Sequence, residues 1–329
     1  MKNIGFGLDF DDVLLVPRPS SVNSRSDVDL GVNLKGVISL RLPIIASPMK
    51  GIISTDLIIK ISELGGIGLM HRFYKNQDER LTDLDILKNS GALFGVAVGM
   101  DNNYDTNEFI FEALDAGAKI ICIDVANGYI DALLKRTEDV KYNMLKYNYD
   151  ALLMAGNVVT LDGAVNLHDA GVDMVRVGIG SGSLCTTRIA TGVGMPQLSA
   201  INYCSLSDAI IVSDGGIRSA GDIVKALAFG ADVVMIGSLF AKAKESANNG
   251  IIYGMASRRL NDEYYHSSQR SIEGIEKKVE KVTDLKSIIY DLSWNMRSAF
   301  TYLNVKNLRD LRNNLEFVVV NGVKKYETI

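Results

Sequence analysis

Residues 178–197, GIGSGSLCTTRIATGVGMPQ, set Cys185 between small-residue turns, with Thr186 and Thr187 directly after it and Arg188 close behind. A thiol beside hydroxyls, backbone donors and a cation is a candidate nucleophile, because such neighbours favour the thiolate. A structural thiol more typically sits inside an apolar run, as Cys122 does in IICID. Both readings of Cys185 stay open at this level, since a nucleophile also needs a base and none stands next to it in the chain. Two further segments suit anions. SDGGIRSAGD (213–222) and MIGSLFA (235–241) bring glycines whose N–H groups can approach a phosphate, and the first leads straight into an expected helix N-terminus. Glycines can equally serve tight turns alone, but the two loops together favour a phosphorylated ligand. Metal ligation by side chains has little support. His71, His168 and His266 are far apart, and Cys122, Cys185 and Cys204 form no CxxC.

These loops need a frame. Short apolar runs ending at Gly, Asn, Ser or Asp recur at 43–46, 67–70, 93–98, 119–123, 151–155, 173–177, 209–213 and 232–236. Between them, stretches such as 55–65, 106–118, 161–171 and 219–231 space their apolar residues as helices do, and several end in Gly. Continuous apolar strands alternating with helices imply a parallel sheet buried on both faces. Eight such units close most simply into a (β/α)8 TIM barrel, with a doubly wound open sheet as the alternative. No linker, low-complexity tract or inserted module interrupts the pattern, so residues 1–329 read as a single domain. In a barrel the loops after the strands share one face, which would gather Cys185 and both Gly-rich loops.

Composition narrows the function. The net charge of -4, without a Lys/Arg run, gives no field for nucleic acid or an anionic membrane. No apolar run approaches the roughly 20 residues of a membrane helix. The first residues lack a basic region followed by an apolar block, so the expectation is a cytoplasmic protein with free thiols.

The segments LDFDDVLLVPRPS near the start, GGIGLMHR (65–72), DVANGY (124–129), MAGNVVT (154–160), the long stretches 177–201 and 213–241, and YGMAS (253–257) stand out. Through them the chain resembles the family of inosine monophosphate dehydrogenases and GMP reductases. The resemblance implies a TIM barrel acting at C2 of a purine nucleotide, with Cys185 as the nucleophile that forms a covalent enzyme–nucleotide intermediate. Backbone carbonyls of Gly180, Gly182 and Cys185 would hold a monovalent cation such as potassium. Ser183, Gly216, Gly237 and Ser238 correspond to phosphate contacts and Asp214 to the carboxylate on the ribose hydroxyls. Gly215, Gly254, Met255, Arg270 and Gly274 complete the expected nucleotide site. Asp124, Asn127, Gly128 and Tyr129 are expected at the cofactor, NADPH, and the family implies a homotetramer.

Within the family this chain is more similar to the reductases, which convert GMP to IMP and ammonia; the alternatives are a dehydrogenase without CBS modules, converting IMP and NAD to XMP, and a catalytically silent nucleotide-binding homologue, against which the joint retention of Cys185, Thr187 and Glu273 argues. Many dehydrogenases carry regulatory CBS modules after the second strand, and here one helical stretch fills that interval. The flap expected at about 255–282 reads RRLNDEYYHSSQRSIEGIEKKVE from residue 258, without the Arg-Tyr pair in which the dehydrogenases place a water-activating base. The EGIE wording echoes the dehydrogenases, and Arg258, Arg259 and Tyr264 remain possible substitutes for that pair. DVANGY is similar to reductase versions, and the resemblance then points to Thr187 and Glu273 as partners of Cys185. Two departures stand out: Lys50 in SPMKGI, where a carboxylate is common, and Trp294-Asn295, where a Gly-Gly is usual.

Overall fold

The computed structural model describes residues 5, 7–101, 104–265, 271–313 and 315–320. Eight parallel strands form a closed barrel in chain order: β1 (Ile44–Ala46), β2 (Ile67–Met70), β3 (Phe94–Val98), β4 (Ile120–Asp124), β5 (Leu152–Val158), β6 (Met174–Val177), β7 (Ile210–Asp214) and β8 (Val233–Ile236). The β8–β1 pairing, with Val234 opposite Ile44, completes the circle and rules out the open sheet. All eight expected runs are strands, because each is buried on both faces and so reads as continuously apolar.

Helices follow each strand: α1 (Thr55–Glu63), α2 (Gln77–Ser90), α3 (Tyr104–Asp115), α4 (Asp131–Lys146), α5 (Leu161–Asp169), α6 (Gln197–Cys204), α7 (Ala220–Ala228) and α8 (Leu285–Leu303). Local sequence sets several of their starts. Ser54, Thr160 and Ser219 each accept a backbone N–H of the first turn, at Leu57, Gly163 and Asp222. Only α2 lies between β2 and β3, so no module is inserted there. None of the helices among the described residues is long and apolar enough to cross a membrane.

The lower end of the barrel is closed by a hairpin that the sequence pattern did not single out, Val32–Leu34 paired antiparallel with Ile38–Leu40. Leu34, Ile38 and Leu40 join Ile45, Ile67, Met174 and Val233 in one buried cluster. From the hairpin turn Lys35 reaches Asp173 at 2.9 Å, and Lys141 meets the same carboxylate at 2.6 Å. Burial alone would raise the Asp173 pKa, but these two cations and the Leu153 N–H hold it below the usual carboxylate value. With the bottom plugged and charged groups paired there, the opposite mouth is left for chemistry.

Candidate active site

The β6 strand ends at Val177, and the loop that follows carries Gly180, Gly182, Ser183 and half-buried Cys185 before a short helix, Thr187–Thr191. Cys185 Sγ lies 3.1 Å from Thr187 Oγ1, and that hydroxyl donates to Glu273 Oε2 at 2.7 Å. With the Thr187 proton committed to the carboxylate, the thiol proton is directed at Thr187 Oγ1. Glu273 is distant in sequence but fixed by backbone pairing. Thr186 N–H donates to Glu273 O at 2.8 Å, Glu273 N–H to Ala256 O at 3.0 Å, and Ile275 N–H to Leu184 O at 3.0 Å. This pairing belongs to a ribbon that leaves the barrel after β8, with Ile251–Tyr253 antiparallel to Glu276–Lys278. The two legs of the ribbon touch through glycines. A Cβ on Gly274 would come within 3.1 Å of the Gly254 Cα, and one on Gly254 within 2.9 Å of Leu184 O, so a side chain at either would push Glu273 away from the thiol.

The cleft above this loop holds about 520 Å³ and is lined by Ser183, Cys185, Thr187, Asp214, Gly215, Gly216, Gly237, Ser238, Gly254, Met255 and Glu273, together with Gly180 and Gly182. The mouth loops after β6, β7 and β8 therefore converge as expected, and the volume is that of an ordinary small-molecule site. Gly215 has φ +104°, and a Cβ there would lie 2.5 Å from Ser181 Oγ, so the turn after β7 needs glycine to lie this close to the cysteine loop. The helix N-terminus behind it is already occupied. Ser219 caps α7, and Asp222 in its first turn pairs with Arg218 at 3.2 Å. The donors left for an anion are those of the Gly215–Gly216 turn and the β8 loop rather than the helix end.

The cation on the floor was not foreseen. Arg176, in the middle of β6, is buried between two carboxylates, with Nη1 2.5 Å from Asp124 Oδ1 and Nη2 2.7 Å from Asp214 Oδ2. Asn157 Nδ2 also donates to Asp214 Oδ2, at 2.8 Å. Burial on its own would raise the Asp124 pKa, but Arg176, seconded by Arg72 at 3.5 Å, holds it below the usual range. The Arg176 pKa is lifted well above the ordinary value by both carboxylates despite its own burial. A charged residue inside an otherwise apolar parallel strand, DMVRV, was the available signal. Beneath it Cys122 is fully buried and its thiol is pushed up to about 12, mainly by burial. Cys204 is likewise pushed up to about 12 by burial, which leaves Cys185 as the one thiol at the mouth.

Several expected residues stand apart. Asp124 lines the cleft, but Asn127, Gly128 and Tyr129 do not. Gly128 N–H donates to Asn157 O at 2.8 Å, Asn127 Oδ1 accepts the Tyr129 N–H at 3.1 Å, and the exposed Tyr129 hydroxyl accepts from Asn166 at 3.0 Å. Gly274 supports the ribbon and does not line the cleft. Arg270 lies outside the described residues, as does His266. Arg188 does not serve the thiol as its sequence position suggests. Its guanidinium donates to Asp9 at 3.1 Å and to the Met195 carbonyl, locking the loop to the N-terminal segment. Among the described residues no cluster of His, Cys, Asp and Glu could hold a metal ion.

The comparisons with known proteins agree with this geometry. The profile described as "IMP dehydrogenase / GMP reductase domain" matches residues 7–328. The chain belongs to the IMP dehydrogenase / GMP reductase family. An inosine-5'-monophosphate dehydrogenase of Borreliella burgdorferi is 34% identical over 387 aligned residues, covering 95% of this chain and 94% of that protein. A GMP reductase of Clostridium acetobutylicum is 33% identical over 327 residues, covering 95% and 96%. One of Bacillus subtilis is 33% identical over 340 residues, covering 98% of each chain. The two departures from the family pattern have separate fates in the fold. Half-buried Trp294 sits on α8 in the outer ring, beside Tyr290 at 6.0 Å, and does not line the cleft. Lys50 stands at the mouth, 2.8 Å from Glu263.

Proposed function

We propose that this family member is a GMP reductase that converts GMP and NADPH to IMP, ammonia and NADP. The observation that carries the reading is the unbroken chain from Cys185 Sγ through Thr187 Oγ1 to the Glu273 carboxylate, at 3.1 and 2.7 Å. Cys185 Sγ attacks C2 of the purine, forming the C–S bond. The amine at C2 leaves with the bonding pair once it has taken up a proton, and the relay of Thr187 and Glu273 is placed to hold and deliver one there. A reduced nicotinamide, when bound, supplies the hydride that replaces the amine at C2, and the C–S bond then breaks to release IMP and the thiolate.

The nucleotide contacts follow from what each group has left to offer. Asp214 spends Oδ2 on Arg176 and Asn157, and its other oxygen remains for ribose hydroxyls. Ser183, Gly215, Gly216, Gly237 and Ser238 offer donors to the phosphate, while Gly254 and Met255 flank the base. The cleft is also lined by Met100, Val125 and Ala126, with Asp101, Asp124 and Arg72 among them, a mixed apolar and charged wall that suits a nicotinamide ring and its carboxamide. Asn127, Gly128 and Tyr129 would meet only the outer part of such a cofactor. Gly180, Gly182 and Cys185 share one loop and offer hard carbonyl oxygens to a potassium ion, although Gly182 O already accepts the Cys185 N–H at 3.0 Å. The stretch over about 255–282, which includes the ribbon's second leg, is the expected flap, and family membership favours a homotetramer.

Two features favour reductase over dehydrogenase chemistry. Arg258 and Arg259, the possible substitutes for the missing Arg-Tyr pair, are exposed and do not line the cleft, and Arg259 stacks 4.9 Å from the Tyr253 ring centroid. The dehydrogenase relative aligns over 387 positions, more than the 329 residues of this chain, so it carries residues with no counterpart here. The C. acetobutylicum reductase aligns over 327. The deciding experiment follows reduced-nicotinamide absorbance in potassium buffer with GMP plus NADPH and, in parallel, with IMP plus NAD. Signal lost in the first reaction alone, and abolished by Cys185→Ala, supports the reductase. Signal gained in the second overturns it in favour of a dehydrogenase.

A further inference from the structure

Lys50 lies one residue past Met49, whose side chain lines the cleft. Its ammonium group meets Glu263 Oε1 at 2.8 Å and stands 4.0 Å from the ring centroid of Tyr264. Both partners belong to the helical turn formed by Arg258–Leu260 and Asn261–Tyr265, and from this turn Asn261 and Tyr265 line the cleft. The Tyr264 ring packs edge-on against Phe73 at 5.5 Å, and Phe73 shares a buried cluster with Tyr253 and Leu260. Three parts of the chain, the loops after β1 and β2 and the turn after the ribbon's first leg, thus meet at one aromatic cluster with a cation at its edge. The Lys50 side chain is 19% exposed and that of Glu263 31%, so the pair is sheltered without full desolvation. The Tyr264 hydroxyl is buried and finds no partner, so the ring face is the part of that residue that the contact uses. A carboxylate at position 50, common in the family, would stand against Glu263 and repel it. Lysine at this position turns that repulsion into attraction.

We propose that Lys50 is a positioning residue that latches the turn 258–265 onto the barrel mouth and sets how firmly the wall made by Asn261 and Tyr265 closes over the reactants. The inference rests on the reading that this cleft binds the purine nucleotide and the nicotinamide. Substrates that bind best to the closed cleft have an apparent affinity reduced by the fraction of molecules that are open, so the latch acts on KM more than on kcat.

The test compares the wild-type chain with Lys50→Met, Lys50→Arg, Tyr264→Phe and the charge swap Lys50→Glu with Glu263→Lys. Hydrogen exchange at amides 258–265 is measured on the nucleotide-free protein, and KM and kcat on whichever nucleotide pair turns over. In Lys50→Met these amides should exchange about fivefold faster and KM rise about fivefold, the size expected of one partly exposed ion pair with a cation–π contact. Its kcat should stay within about twofold. The wild-type KM should rise more steeply with salt than that of Lys50→Met, because screening of the anionic reactants is common to both and only the wild type has the ion pair to lose. Lys50→Arg and Tyr264→Phe should lie near wild type, and the charge swap, which restores the ion pair but not the cation over the Tyr264 ring, should recover part of the loss. Unchanged exchange and KM in Lys50→Met would overturn the latch, and so would a charge swap no better than its single variants. If neither nucleotide pair turns over, the reaction reading fails by itself, while the exchange rates still decide the latch.

Discussion

His71 should make this protein lose stability on mild acidification. It follows β2, its Nδ1 accepts the Phe73 N–H at 3.2 Å, and its ring packs against Tyr74 at 4.3 Å. Burial first, and the nearby Lys50 charge second, push its pKa down to about 3. An unfolded chain holds histidine at about 6.5. Between those two values the unfolded state binds the extra proton and the folded state does not, so stability falls as pH falls from about 6.5 towards about 3. At pH 5 the unfolded imidazole is about 1.5 pH units below its pKa, and at about 1.4 kcal/mol per unit the folded state loses about 2 kcal/mol relative to pH 7 and above. The figure hardly changes if the folded value is a unit higher, because the folded imidazole is neutral at pH 5 either way. The assay is urea unfolding at pH 7 and pH 5, followed by the fluorescence of Trp294, the one tryptophan of the chain, in wild type and His71→Gln. Glutamine keeps an acceptor for Phe73 N–H and cannot titrate. The difference between the two pH effects cancels other groups, including Asp124 and Asp173, whose lowered pKa values make them act at more acidic pH. Wild type should lose about 2 kcal/mol more than the variant. Equal losses in the two proteins would refute the claim that His71 is held neutral by its surroundings.

Two predictions concern the cleft. Thr187→Val removes the hydroxyl between Cys185 and Glu273 at nearly constant volume. It should lower kcat by about 10²- to 10⁴-fold with nucleotide affinity measured by calorimetry little changed, while Thr187→Ser keeps most of the rate. Arg176→Met leaves Asp124 and Asp214 buried without their shared cation and should cost about 3–5 kcal/mol in urea unfolding at neutral pH. A loss below about 1 kcal/mol would mean that the two carboxylates do not depend on it.

What the sequence disclosed and what it hid follow from the range of the interactions. The strands were legible because burial on both faces makes each one a run such as IICI, and the turns between strands and helices carry their own glycines and caps. The cysteine loop was legible for the same local reason. Arg188 misled because nearness along the chain is not nearness in space, and the loop turns its guanidinium to Asp9. Arg176 meets its partners from β4 and β7 only when the barrel closes, so nothing around it in the chain names them. The bottom hairpin was overlooked because three-residue strands carry too little alternation to register. Glu273 was reached through family resemblance alone, since in sequence it is one acid in a polar run, and only pairing with Leu184 and Thr186 brings it to the thiol.

The barrel and the ribbon divide the chemistry between them. Arg176 is locked by two carboxylates on the barrel floor and has no charge to spare for a thiolate, so the floor supplies fixed, mutually compensated charges. The hydrogen-bond chain from Cys185 runs the other way, through Thr187 to Glu273 of the ribbon. That ribbon pairs with the cysteine loop at Gly274, and the same excursion from the barrel carries Glu263 to Lys50. On the proposed reading, placement of Glu273 beside the thiol and closure of the cleft wall therefore belong to one connected segment. A change that lifts the ribbon should weaken both together, whereas a change confined to the latch should loosen the wall and leave the Thr187–Glu273 contact in place.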